Sequence, residues 1–410
     1  MSKEQQLDVA PPYNAVAQHG VSPKPSHDEI SRFDFLANFN KFLSGTLGAG
    51  NQLAYEKRVL PAFQKENGRD PKDRFEIRRA MNQDRYHQFW SALKRNSMEM
   101  RQQNGRSMVL RQLDELDAKA RQYNEGRATL ELNPEIDVPR YQSAVDIHCM
   151  PGSYHGEARP GDVSAGANYD CGLFATTAGG LGALSDGGGQ ALVEWIKKER
   201  PGWVPKRMLD IGCTVGHNIV PLALAFPDSE FIAIDTAAPI LRYGHARAQS
   251  LGATNIRFIQ ANAEDMSRWP DGHFDWVQTT MFLHETSGKA LPKIIAEGFR
   301  VLADGGLMLH LEQPEYTDEM PLFEQFLRDW DAFNNNEPFW SAMHALDMKD
   351  VMVEAGFGPG DLFETGVRAV VDREIFPEAP TGEDEDHGRA AFWHAYGAWK
   401  NVQSSQIAAE

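Results

Sequence analysis

Apolar positions keep a helical period through the first third of the chain, then change to short apolar runs tipped by acids. Phe35, Phe39, Phe42 and Leu43 fall at i, i+4, i+7 and i+8, one stripe of a helix that begins near Asp28. The glycines between 45 and 50 are expected to break that helix, and further helices are expected over 53–64, 74–100 and 107–123, with Gly105 as another breaker. Residues 1–27 are polar, proline-containing and aperiodic, so they read as a disordered tail. Residues 28–132 then form a helical N-terminal domain, a candidate dimerisation unit. Phe75, Tyr86, Phe89 and Trp90 read as its packing residues rather than as a stacking platform for bases.

Residues 133–139 carry two prolines and little periodicity, as a linker would. The stretch onward to 189 is rich in Gly yet holds aromatics, His and Cys, which suits a lid closing over a ligand. From 190 the pattern alternates. Helix 190–200 precedes strand 207–211, helix 218–225 precedes strand 230–235, and helix 239–251 precedes strand 256–260. Strands at 274–280 and 306–312 flank a helix at 290–302, and helices at 321–333 and 348–355 lead to an extended segment at 367–371. Strands joined by helical crossovers imply an α/β fold with a parallel sheet covered on both faces. The domain is placed at 190–375, and 376–410 is read as an acidic loop followed by an aromatic C-terminal helix over 392–399.

Composition narrows the function. Apolar residues make up 41% and charged residues 24%, ordinary for a globular protein. No run approaches the roughly 18 apolar residues of a membrane span, and the N-terminus lacks a signal-peptide core. Three cysteines, Cys149, Cys171 and Cys213, cannot all pair with one another, which points to a reducing cytoplasm. A net charge of −17 argues against broad nucleic-acid binding. Residues 51–110 hold 13 Lys/Arg against 7 Asp/Glu, a bias that a solvated helical face explains and that an RNA surface would also produce.

The chemistry concentrates after the first strand of the alternating region. An apolar strand reaches Asp210, a turn carries Gly212 and Gly216, and the next strand ends on Asp235, 25 residues later. Ligands of nucleotide type bind above the carboxyl ends of parallel strands. Two acids there suit a ligand with a cationic amine and a ribose. A pyrophosphate would meet Asp210 unfavourably, and Gly212 and Gly216 are spaced G-x-x-x-G rather than as the three glycines of a dinucleotide fingerprint.

In these residues the chain resembles the class I S-adenosylmethionine-dependent methyltransferases, in particular the small-molecule branch related to the ubiquinone/menaquinone-type enzymes. The resemblance covers roughly residues 185–375. It implies a Rossmann-like, mostly parallel seven-stranded sheet with S-adenosylmethionine as cofactor. By the same resemblance Asp210 holds the methionine ammonium, the turn through Gly212, Cys213 and Gly216 carries the methionyl end, and Asp235 with Thr236 receives the ribose. Thr214 stands where the middle glycine is usual. Asn262, Ala263 and Glu264, in Gln260-Ala-Asn-Ala-Glu-Asp265, correspond to the adenine-binding segment, with Asn262 where Asp is usual.

His284 and Glu285 follow the fourth strand of the alternating region, which faces the reaction centre in this family. His284 is a candidate base or orienting group, with an anchoring hydrogen bond as the plain alternative. Glu285 supports His284 or a helix start. Tyr154, His155 and Tyr169 (with Asp170) are candidate acceptor-binding lid residues, as are Asn334 and Asn336 in the amide- and aromatic-rich 330–340. His148, Cys149, His155 and Cys171 lack the paired spacing of a zinc site, so no metal is assigned. The expected protein is a cytoplasmic, homodimeric enzyme that methylates a small-molecule O, N, S or C acceptor by in-line displacement. Methylation of RNA or protein, and cofactor binding with non-methyl chemistry, are the alternatives.

Overall fold

The computed structural model describes residues 9–16, 18–370 and 392–401. One sheet contains β1 (Leu130–Glu131), β2 (Arg207–Ile211), β3 (Glu230–Asp235), β4 (Ile256–Gln260), β5 (Phe274–Thr280), β6 (Leu302–Leu311), β7 (Leu362–Arg368) and β8 (Phe392–Trp399). Their order is β1-β4-β3-β2-β5-β6-β8-β7, parallel except for β8, which runs antiparallel to both β6 and β7. The α/β class and mostly parallel sheet are as the sequence predicts, with eight described strands in place of seven.

Strands buried on both faces read as near-continuous apolar runs, and Met208, Leu209 and Ile211 of β2 are buried accordingly. Helices Gly187–Glu199 and Ile219–Ala225 share a core on one face, and helix Ala290–Val301 packs with Met348 and Met352 on the other. From β2 the chain steps outward through β3 to β4, then returns to the opposite side of β2 as β5. That reversal opens a crevice above the carboxyl end of β2, with Asp210 level with Ala233 of β3 and Gln278 of β5.

Several sequence-based expectations change. Residues 392–399 form β8 and not a helix; held between β6 and β7, its buried Ala395, Tyr396 and Ala398 make the apolar run of a central strand. The acidic residues 382–386 lie outside the described residues. The described part of the expected tail is packed: Tyr13 stacks on Phe33 at 4.3 Å, Val21 is fully buried, and the Tyr13 N–H donates to Asp34 at 2.6 Å. An extended segment tied down by side chains needs no periodicity.

Neither glycine breaker breaks its helix. The chain stays helical from His27 to Asn67, passing through π-helical turns at Leu43–Leu47 and Tyr55–Val59. A Cβ on Gly50 would lie 2.0 Å from the Tyr86 hydroxyl, and one on Gly105, inside helix Arg85–Arg111, 2.4 Å from Asn168 Oδ1. Both glycines permit close approach of a neighbour. The helical region is also not a separate body: Phe33, Met108 and Leu116 share one core with Phe174, Ile240 and Tyr243, and β1 pairs with β4 of the sheet.

Candidate functional site

The turn after β2 is shaped by three left-handed residues. Gly212 has φ +71°, and a Cβ there would sit 2.2 Å from the Phe282 ring. Thr214 adopts φ +45°, so the position lacking the usual glycine keeps a glycine-like backbone at the expense of strain. Gly216 follows at φ +79°. The Gly212 and Cys213 N–H groups donate to Ile234 O at 2.9 and 3.1 Å, which pins the turn to β3. The Cys213 thiol is buried and held well above its ordinary pKa by burial, so it fills space and does not act as a nucleophile.

Two carboxylates line this turn. Asp235 accepts from the Thr214 N–H (3.2 Å) and the Ala237 N–H (2.9 Å), which leaves its carboxylate with further acceptor capacity. Burial raises its pKa to about 6 despite those bonds, with the charge of Glu285 adding to the rise. Asp210, 3% exposed, is pushed by burial and then by Asp235 up to about 8, against a hydrogen bond from Gln278. Two acids resisting ionisation beside each other are a receptor for positive charge, because a cation restores both carboxylates. The structure thus places Asp210 and Asp235, the two acids singled out in the sequence, on neighbouring strands.

Farther along the strand ends, Thr236 donates its hydroxyl to Gln142 Oε1 at 2.6 Å, and Gln260 donates to Thr236 O at 2.8 Å. Asn262 Oδ1 accepts the Glu264 N–H at 2.9 Å, while Glu264 faces Lys293 Nζ at 3.3 Å. The oxygen of Asn262 thus shapes the loop and retains one lone pair for a ligand donor. Ala263 is buried beside Trp269 in the core under the sheet.

Across the crevice stands a buried ionic network that the sequence shows only in pieces. His284 Nδ1 lies 2.7 Å from Glu312 Oε1, and its Nε2 lies 3.5 Å from Glu337 Oε2. His148 Nε2 is 2.9 Å from Glu285 Oε1, and His148 Nδ1 is 3.0 Å from Glu337 Oε1. The Tyr154 hydroxyl donates to the same Glu285 oxygen at 2.9 Å, and Asn335 donates to Glu337 at 2.7 Å. Burial opposes charge on both imidazoles, but the carboxylates prevail: Glu312 first for His284, raised to about 9, and Glu337 first for His148, raised to about 10. Both are imidazolium at neutral pH, with His284 Nδ1 hydrogen-bonded to Glu312 and its Nε2 facing Glu337 as an ion pair.

Of the residues the sequence assigns to a lid, Tyr154 and Tyr169 come together, with ring centroids 5.6 Å apart. Tyr169 also hydrogen-bonds Thr214, and burial raises its pKa to about 12. Burial drives the pKa of His155 down to about 4. Asp170 turns away from the crevice, accepting from the Tyr243 hydroxyl at 2.7 Å and lying 2.8 and 2.7 Å from His19 and His217. Asn334 and Asn336 are spent on structure, the first bonded to Trp330 O and the second to Asp146 O, with Arg95 bridging both. Their neighbour Asn335 is the one that enters the network. Neither Glu337 nor Glu312 is among the candidates read from the sequence. Glu312 was readable by the rule that found Asp210 and Asp235, an acid at the tip of an apolar strand. His148, weighed for zinc, is held by Glu285 and Glu337, and no group of three or more His, Cys, Asp or Glu suited to a metal occurs among the described residues. No helix among them is long and apolar enough to cross a membrane.

Residues 208–306 match the family model described as a methyltransferase domain. A demethylmenaquinone methyltransferase of Thermus thermophilus is 33% identical over 110 residues, 27% of this chain and 48% of that one. A malonyl-[acyl-carrier protein] O-methyltransferase of Methylococcus capsulatus is 32% identical over 127 residues, 31% and 44% of the two chains. A tRNA (guanine-N(7)-)-methyltransferase of Chloroflexus aggregans is 42% identical over 77 residues, 18% and 33%. The chain spans no more than 48% of the length of these curated relatives.

Proposed function

We propose that this protein, whose residues 208–306 match a methyltransferase-domain family model, is a class I S-adenosylmethionine-dependent methyltransferase that methylates a small-molecule acceptor held between the strand-end crevice and the buried ionic network. Asp210 would hold the cofactor's ammonium, Asp235 its ribose hydroxyls, and Asn262 with the Ala263 backbone its adenine. Bound there, the cofactor supplies an electrophilic methyl group on a sulfonium.

The observation that carries the reading is the enclosure of the acceptor side. Tyr154 and His148 from the segment before the domain converge on Glu285, and Glu337 from the segment after it holds the other nitrogen of His148. The Glu312 side chain is fully buried and that of Glu337 is 2% exposed, which supports a compact acceptor over a polynucleotide. The net charge of −17 supports the same choice.

Within this enclosure Glu285 is the group that meets the acceptor. It exerts a charge effect on Asp235, Tyr169 and Tyr154, so it lies between the cofactor crevice and the lid. Its carboxylate would take the proton of an acceptor X–H whose heteroatom or carbon receives the methyl group. His148 and Tyr154 position that carboxylate. His284, already protonated, acts as a positioning residue through Glu312 and Glu337 rather than as the base. Alignment supplies most of the rate, on the order of 7–11 kcal/mol for well-oriented reactants. Glu285→Gln should cut kcat by about 100-fold, within the range for general-base loss, and leave S-adenosylhomocysteine affinity within about threefold. Turnover with methyl-labelled cofactor and extracted small molecules measures this. Label entering only RNA or protein would contradict the small-molecule assignment.

A further inference from the structure

Arg101 is a buried guanidinium with no carboxylate partner among the described residues. It is 5% exposed, on helix Arg85–Arg111, and lies over Gly172 of helix Ser164–Thr177, where a Cβ would stand 3.7 Å from its Nε. Nη1 donates to the Thr176 hydroxyl, while Nε is buried and unpaired. Asn104, three residues on along the same helix, has both amide atoms buried and unpaired. Elsewhere arginines meet acids: Arg58 pairs with Asp84, Arg69 with Glu76, Arg74 with Asp329 and Arg111 with Glu29.

The titratable groups that act on Arg101 are Tyr169, Tyr154, Cys149 and Cys171. All four are neutral at physiological pH, since burial raises the pKa of each above its ordinary value. None can neutralise the guanidinium. An arginine does not deprotonate to escape burial, and an uncompensated buried charge costs several kcal/mol. Tyr169 and Tyr154 are the residues that reach Thr214 of the glycine turn and Glu285 of the acceptor side. Tyr169, Gly172 and Thr176 stand at i, i+3 and i+7 on one helix face, so the guanidinium and the reaction site share that face.

We propose that Arg101 is a carboxylate receptor at the edge of the reaction site, contributed by the N-terminal helical region. With Nη1 given to Thr176, the Nε–Nη2 edge remains, and that edge grips a carboxylate through two parallel hydrogen bonds. The carboxylate belongs either to the acceptor or to the methionyl end of the cofactor. The inference rests on the methyltransferase reading and adds to it an anionic subsite outside residues 208–306.

Calorimetry on the full chain separates these sources. S-adenosylhomocysteine is titrated into wild type, Arg101→Met and Arg101→Lys, and the saturated complexes are then titrated with benzoate and with neutral benzamide. If the cofactor supplies the carboxylate, Arg101→Met weakens S-adenosylhomocysteine by about 30-fold or more, as expected for a lost charged pair. If the acceptor supplies it, that affinity stays within about threefold, while benzoate binds the wild-type complex, benzamide does not, and Arg101→Met abolishes benzoate binding. In either case the ligand-free Met variant unfolds at or above the wild-type temperature, because an unpaired charge has been removed. Should the Met variant not fold, the receptor role is overturned unless Arg101→Lys, which keeps the charge and loses the fork, folds and shows the same losses in part. Unchanged binding of both probes in a folded Met variant overturns the proposal and leaves Arg101 as a packing residue. Wild type that binds no S-adenosylhomocysteine overturns instead the reading beneath it.

Discussion

At the scale of single residues, the turn after β2 shows how steric limits make a ligand surface. Gly212 satisfies two demands at once, a left-handed backbone and room for the Phe282 ring. Thr214 meets only the first, under strain, and its hydrogen bond with Tyr169 offsets part of that cost. Gly212→Ala should destabilise the protein by about 2–4 kcal/mol, combining overpacking with the left-handed penalty. Adding Phe282→Ala should relieve the clash between the two side chains but leave the backbone penalty of Gly212→Ala, which is visible in a double-mutant cycle by urea unfolding. A loss below about 1 kcal/mol for Gly212→Ala alone would show that the turn relaxes freely and that its shape is not enforced. The acids were legible for a related reason. Asp210, Asp235 and Glu312 each end an apolar strand, where a charged residue is out of place unless the site uses it.

At the scale of elements, legibility follows periodicity. Helix Arg85–Arg111 runs through the break expected at Gly105, whereas strands β2 to β6 stand out as apolar runs between helical crossovers. β8 does not: a strand buried between neighbours loses its alternation, and Phe392 to Trp399 then resembles an aromatic helix. β1, two residues long, has no pattern to detect. Nor does sequence order reveal that Asn335, and not Asn334 or Asn336, bonds to Glu337. That depends on the bend after helix Trp330–Asn334, where Asn336 takes φ +60°. Elements remote in sequence meet in the His148–Glu337–His284 network, so its titration belongs to this scale. Both histidines have folded pKa values raised above the ordinary 6.5, to about 10 and about 9. Their stabilising contribution is complete below the unfolded value and disappears as pH climbs through the folded values. Thermal stability should therefore fall between pH 7 and 10, and less steeply in His148→Gln. An equal slope in wild type and variant would mean that His148 is not held as imidazolium.

At the scale of the whole molecule, the N-terminal helices and the segment after β6 close the site that the sheet opens. Arg74 pairs with Asp329 at 2.8 Å, Arg95 donates to Asn334 O at 2.7 Å, and Trp330 donates to Ser91 at 2.8 Å, so the two flanks are tied to each other. The sheet supplies the acids, and the flanks supply Tyr154, His148, Glu337 and Arg101. The central claim is that Asp210 and Asp235 together receive an adenosyl ligand bearing an ammonium. Its most direct test is calorimetric titration of S-adenosylhomocysteine at pH 7 in two buffers of different ionisation enthalpy. Asp210, with its pKa raised to about 8, is largely protonated in the free protein and must ionise to meet the ammonium. Binding should be one-to-one and release about one proton, and Asp235→Ala should weaken it by about 30-fold, or about 2 kcal/mol. No binding, or the same affinity in Asp235→Ala with no proton released, would contradict the account.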